Sequence, residues 1–128
     1  MTRQRTTSGA PYEERFGFCR AVREDNRISV AGTGPIDPDG QTTPGGAAAQ
    51  AARCFELIIA AIEDLWGRAE DVVRTRMFLT DFEDQDAVGE VHARYFGKAK
   101  PAATMAGVAW LCGADWKVEI EAEALLQE

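Results

Sequence analysis

The chain has 128 residues, 45% of them hydrophobic and 27% charged, with a net charge of -7 and a pI near 4.7. That length suits one compact domain, and no apolar run is long enough to span a bilayer. The acidic balance argues against a nucleic-acid partner, whose affinity comes largely from Lys and Arg neutralising phosphates.

The first dozen residues, "MTRQRTTSGAPY", have early arginines but no apolar core behind them, so they do not read as a secretory signal. We expect a loose arm over residues 1–12 and a cytoplasmic protein. Two short β-rich runs follow, Arg15–Val22 and Arg27–Gly34, joined by the turn residues "REDN" into a hairpin. "PIDPDGQTTPGG" is loop. From Gly46 to Trp66, the residues Ala51, Phe55, Ile58, Ile62 and Leu65 recur at steps of three and four, which predicts a long helix stopped at Gly67.

Val72–Asp81 alternates as a strand, and "DQDAVGEVHARYFG" predicts a second helix bearing Val88, Val91 and Tyr95 on one face. Gly89 inside it costs about 1 kcal/mol relative to alanine, which suggests a close packing contact there. Two last strands are expected over Ala103–Leu111 and Lys117–Leu126. The order β-β-α-β-α-β-β predicts an α+β fold, a mixed sheet with both helices on one face. The other face would be left partly apolar by Val30, Met105 and Trp110, implying a homo-oligomer.

Chemistry is sparse. Three cysteines, Cys19, Cys54 and Cys112, are an odd count with no close pair, and read as reduced, small packing residues rather than metal ligands or disulfides. The single histidine, His92, has no histidine partner for a shared metal site, and it reads as structural. "AGTGPIDPDG" lacks the lysine and the following helix of a P-loop. In "KVEIEAEALL", Glu119, Glu121 and Glu123 share one strand face while Val118, Ile120, Ala122 and Ala124 share the other. Those glutamates are either a solvated acidic face or include one carboxylate desolvated at a subunit junction. Burial would raise the pKa of the latter and let it position water.

The segments "GTGPIDPDG", "AAQAARCFELI", "DVVRTRMFLTDFED", "VHARYFG", "KPAATM" and "KVEIEAEAL", in this order, resemble the Rid (reactive intermediate deaminase) or YjgF-like family, also labelled endoribonuclease L-PSP. The resemblance implies a chorismate-mutase-like subunit, a homotrimer with small-molecule clefts between subunits, and no metal or organic cofactor. It also implies hydrolysis of enamines and imines to 2-oxo acids and ammonia. Matched by residue, the family's substrate-binding arginine falls on Ala103, its following small residue on Met105, its serine on Ala31 beside Gly32, and its asparagine on Gly89. An aromatic is kept in kind as Phe16, the backbone amides near Thr104 and Met105 would polarise the substrate, and the water-orienting glutamate is retained as Glu119.

Losing a charge-assisted bidentate contact would remove on the order of 3 kcal/mol of binding, roughly a hundredfold. A substitute charge would come from Arg15, Arg20, Arg74 or Arg94. Three readings stay open at this point: a hydrolase or deaminase of C–N bonds with an altered substrate, a non-catalytic trimer binding a metabolite or partner, and a ribonuclease. The acidic charge and the lack of a histidine pair count against the last.

Overall fold

The structure, a computed structural model, describes residues 3–127. In chain order it has β1 (Gln4–Thr6), α1 (Pro11–Phe16), β2 (Ala21–Glu24), β3 (Arg27–Thr33), α2 (Ala47–Asp64), β4 (Val72–Leu79), α3 (Gln85–Phe96), β5 (Ala102–Gly107) and β6 (Val118–Leu125). The six strands form one sheet in the order β1-β2-β3-β6-β4-β5. Only β4 and β5 run parallel, and α3 provides the crossover that a parallel pair requires. The expected mixed α+β sheet is therefore present, with one strand and one short helix more than expected.

The added strand lies where a loose arm is expected, and the added helix spans the end of that arm and the start of the expected first strand. Gln4–Thr6 pairs antiparallel with Arg23–Ala21, so part of that arm is an edge strand. Residues 11–16 form a helix because Pro11 sits at its first turn, Glu13 and Glu14 follow near the positive end, and Gly17 ends it with a left-handed φ of 78°. The first expected strand accordingly begins at Ala21 rather than Arg15. Residues 1 and 2 of the expected arm lie outside the described residues.

The β2–β3 hairpin turns through Asp25 and Asn26 as expected, with Asp25 at φ 57°. All five predicted contact residues, Ala51, Phe55, Ile58 and Ile62 of α2 and Leu65 just past its end, are buried. The helix stop works differently from the expectation. Trp66 takes the left-handed conformation (φ 66°), whereas Gly67 is required by space: a Cβ there would lie 2.7 Å from Ile62 Cγ2 and 3.0 Å from Ile28 Cδ1.

The core lies between the sheet and α2 with α3. Ile28, Val30, Met77, Leu79, Val118, Ile120, Ala122 and Ala124 project from the strands into it. Val30 was expected on the opposite face, but it pairs with Ala21 and Ala122, both buried, and is itself 4% exposed. Met105 aligns with Met77 and also packs against the core side. Trp110 lies beyond the end of β5 and is exposed. The open sheet face is instead charged: Arg76 bridges Glu121 at 3.3 Å and Glu123 at 2.9 Å. Among the described residues no helix is long and apolar enough to cross a membrane.

Candidate functional site

Glu119 stands on β6 opposite Phe78 of β4, on the open sheet face with Glu121 and Glu123. Between Val30↔Ala122 and Thr33↔Ile120 the ladder with β3 shifts by one residue, a bulge that pushes Gly32 toward Glu119. A Cβ at Gly32 would sit 2.6 Å from Glu119 Oε2, so any side chain there would displace the carboxylate. Glu119 is half-buried, and among the described residues no hydrogen bond or ion pair takes up its carboxylate. Burial raises its pKa above the ordinary 4.5; the Arg20 charge works against that rise and the Glu121 charge adds to it.

Arg20 is fixed beside this carboxylate. Its Nη1 donates to the Gly32 carbonyl at 2.6 Å and to Thr33 Oγ1 at 3.1 Å, and the Thr33 hydroxyl donates to the Ala31 carbonyl at 2.8 Å. Its Nη2 pairs with Glu13 Oε2 at 3.3 Å, with Glu13 almost fully buried. Glu13 also accepts from Thr7 Oγ1 at 2.5 Å, from the Ser8 amide and from the Ser8 hydroxyl. Burial pushes the Glu13 carboxyl up, but the bonds from Ser8 and Thr7 with the Arg20 charge outweigh it and hold the pKa low.

Beneath lies Cys54 of α2, a buried thiol whose pKa is raised first by burial and then by the Glu119 charge. Cys19 is partly buried, but Cys112 is exposed and is not the packing residue expected; all three thiols are free.

Phe16 is not on a strand. It ends α1, stacks on Tyr12 with ring centroids 5.4 Å apart, and is 64% exposed. The aromatic ring nearer the Glu119 group is Phe18, with the Arg20 guanidinium 5.7 Å over it. Sequence reasoning missed Phe18 and Glu13 because the helix signals of "PYEERFG" were read as arm and strand. Of the four substitute arginines, Arg15 lies over the exposed Phe16, Arg94 is exposed, and Arg74 donates to Thr104 Oγ1 at 2.7 Å. Arg20 alone among them lies at Glu119, with most of its donors already engaged.

A second group gathers elsewhere. Gly89, Ala103, Thr104 and Met105 line a groove of about 500 Å³ between α3 and β5, with Met77, Ala93, Gln85, Asp86 and Glu90. Gly89 makes no close contact: a Cβ there would meet nothing within 4 Å, contrary to the expected packing. Glu119 does not line this groove: it stands on the open sheet face, whereas Met77 and Met105 of the groove face the core side, and β4 lies between β6 and β5. The predicted site residues thus fall into two groups in one chain, Ala31, Gly32 and Glu119 in one, and Gly89 with residues 103–105 in the other.

His92 lies in neither. Its Nε2 is 2.9 Å from the hydroxyl of fully buried Thr75, and its ring packs on Phe55 and Phe96, the structural role expected. Among the described residues no three His, Cys, Asp or Glu side chains gather to hold a metal ion.

The family model described as Endoribonuclease L-PSP matches residues 9–126. The chain belongs to the Rid/YjgF family. A Mycobacterium tuberculosis member of the YjgF/YER057c/UK114 family has a crystal structure that superposes with a TM-score of 0.88 at 37% identity, covering 98% of this chain and 100% of that one. An uncharacterized protein of Streptomyces coelicolor is 36% identical over 121 residues, 94% of this chain and 90% of its own. A 3-aminoacrylate deaminase, RutC of Acinetobacter baylyi, is 33% identical over 86 residues, 66% of this chain and 68% of its own. The Rid/YjgF fold accounts for the mixed sheet and its two long helices.

Proposed function

We propose that this Rid/YjgF protein is a metal-independent hydrolase of imines or enamines, acting in a cleft between subunits of a homotrimer. The observation that carries the reading is Glu119: a half-buried carboxylate with a raised pKa, pressed against Gly32, and without a partner among the described residues. Such a group can take a proton from water as the oxygen attacks the C=N carbon, then return it to the departing nitrogen. In one chain the two groups are separated by β4 and lie on opposite faces of the sheet. A neighbouring copy that sets its α3–β5 groove against Glu119 would close the cleft and desolvate the carboxylate further. The relative named 3-aminoacrylate deaminase supports C–N hydrolysis as the chemistry.

The substrate is not held in the family's manner. Ala103 and Gly89 line the groove without a side chain that could clamp a carboxylate in bidentate fashion, and Ala31, next to Gly32, offers none at Glu119. That same lack of side-chain chemistry in the groove favours a second reading, a trimer that binds a metabolite or partner without turnover. Glu119→Gln separates the two: it should abolish acceleration of imine hydrolysis with the assembly intact. Turnover unchanged in that variant would sink the catalytic role. Ribonuclease action is disfavoured by the charge of -7 and the acidic groove rim, and any true RNA binding should weaken steeply with salt.

A further inference from the structure

The groove between α3 and β5 has an apolar floor and an acidic rim. Met77, Met105, Ala93 and Ala103 line the floor, while Asp86 and Glu90, one turn apart on α3, are its charged members. No lining residue is basic. Arg74 reaches Thr104 Oγ1, but it projects with Arg76 from the open sheet face, because Thr75 between them is fully buried on the core side. A carboxylate entering the groove would meet like charge and find no guanidinium among the lining side chains, Arg74 being turned to the other face and Arg20 at Glu119 engaged by Glu13, Gly32 and Thr33. A cation with an apolar body would meet opposite charge and polarisable thioethers. The net charge of -7 favours the same sign of ligand at longer range.

Resting on the imine-hydrolase reading above, we infer that the groove takes a protonated imine of an amine that carries no α-carboxylate. In the step, one iminium cation and one water give one aldehyde or ketone and one ammonium ion, so the single positive charge is conserved. The water oxygen bonds to carbon, the C–N bond breaks, nitrogen leaves with its electron pair, and both water protons end on it. Nothing is oxidised or reduced in this step. The reaction that supplies such a substrate is the two-electron oxidation of a primary amine.

Stable probes test the charge preference on the full-length protein. Phenethylammonium and phenylacetate, matched in size and opposite in charge, are titrated while amide resonances are followed by heteronuclear NMR. Phenethylammonium should shift Gly89, Ala103 and Met105 saturably and bind at least about tenfold tighter than phenylacetate, with the difference shrinking as salt rises. Asp86→Asn combined with Glu90→Gln should weaken the ammonium probe by about tenfold. The inference is overturned if phenylacetate binds these residues as tightly, or if the double variant binds phenethylammonium unchanged. Neither result involves Glu119. Carboxylate preference alongside Glu119-dependent turnover would refute the substrate class and leave the hydrolase standing, while ammonium binding with turnover indifferent to Glu119→Gln would do the reverse.

Discussion

Glu119 and Gly32 stand on neighbouring strands, and the bulge between Val30 and Thr33 decides how close they come. Because burial raises the folded pKa of Glu119 above the ordinary 4.5, its ionisation favours the unfolded chain. The stabilisation from holding it protonated is complete below pH 4.5 and is lost as pH rises through the folded value. Glu119→Gln should therefore raise the melting temperature near neutral pH and leave it nearly unchanged in acid below 4.5, measurable by calorimetry. Gly32→Ala should displace the carboxylate and lose activity without loss of fold. Glu13 has the opposite sign: hydrogen bonds hold its pKa low, so its contribution is present above pH 4.5 and fades on acidification. Glu13→Ala leaves Arg20 and Ser8 without their acceptor and should cost on the order of 2 kcal/mol in urea denaturation. At this scale the sequence pointed to Glu119 through strand alternation and resemblance. Glu13, distant in sequence from Gly32, could be joined to it only by the Arg20 side chain that spans them.

The elements were readable where periodicity was strong. Helix α2 buries every residue its spacing selected, and the alternation of β4 and β6 sets Arg74, Arg76 and the three glutamates apart from the core. Phases failed where runs were short. Val30 and Met105 were placed on the wrong face because a one-residue error flips a strand, and only pairing with Ala21, Ala122 and Met77 fixes the choice. Phe55, ringed by His92, Tyr95 and Phe96, is the packing centre of the two helices, and Phe55→Ala should cost about 3–5 kcal/mol. Gly89 faces open space in mid-helix, so Gly89→Ala should stabilise α3 by about 1 kcal/mol while narrowing the groove. Burial holds the His92 pKa below 6.5. Its contribution is intact above that pH and declines as pH falls toward the folded value, a limb that His92→Gln should remove from the stability curve.

At the scale of the whole molecule, the proposed hydrolase requires that two separate groups of residues be brought together, the one at Glu119 and the one along the α3–β5 groove. The first holds a half-buried carboxylate, the second lines a groove without a reactive side chain, and in the proposed function a second copy would join them. The resemblance suggested a cleft between subunits, but nothing in one sequence gives the distance of two strands between Glu119 and the groove. We expect a trimer by light scattering, with imine hydrolysis lost when charge reversal at Arg76 or Glu121 disturbs the open sheet face. The most direct test of the account is the pH dependence of accelerated imine hydrolysis, expressed relative to the uncatalysed rate. The acceleration should rise with pH through a midpoint above 4.5, as Glu119 ionises, and this limb should vanish in Glu119→Gln. A flat profile, or one that the variant reproduces, would contradict it.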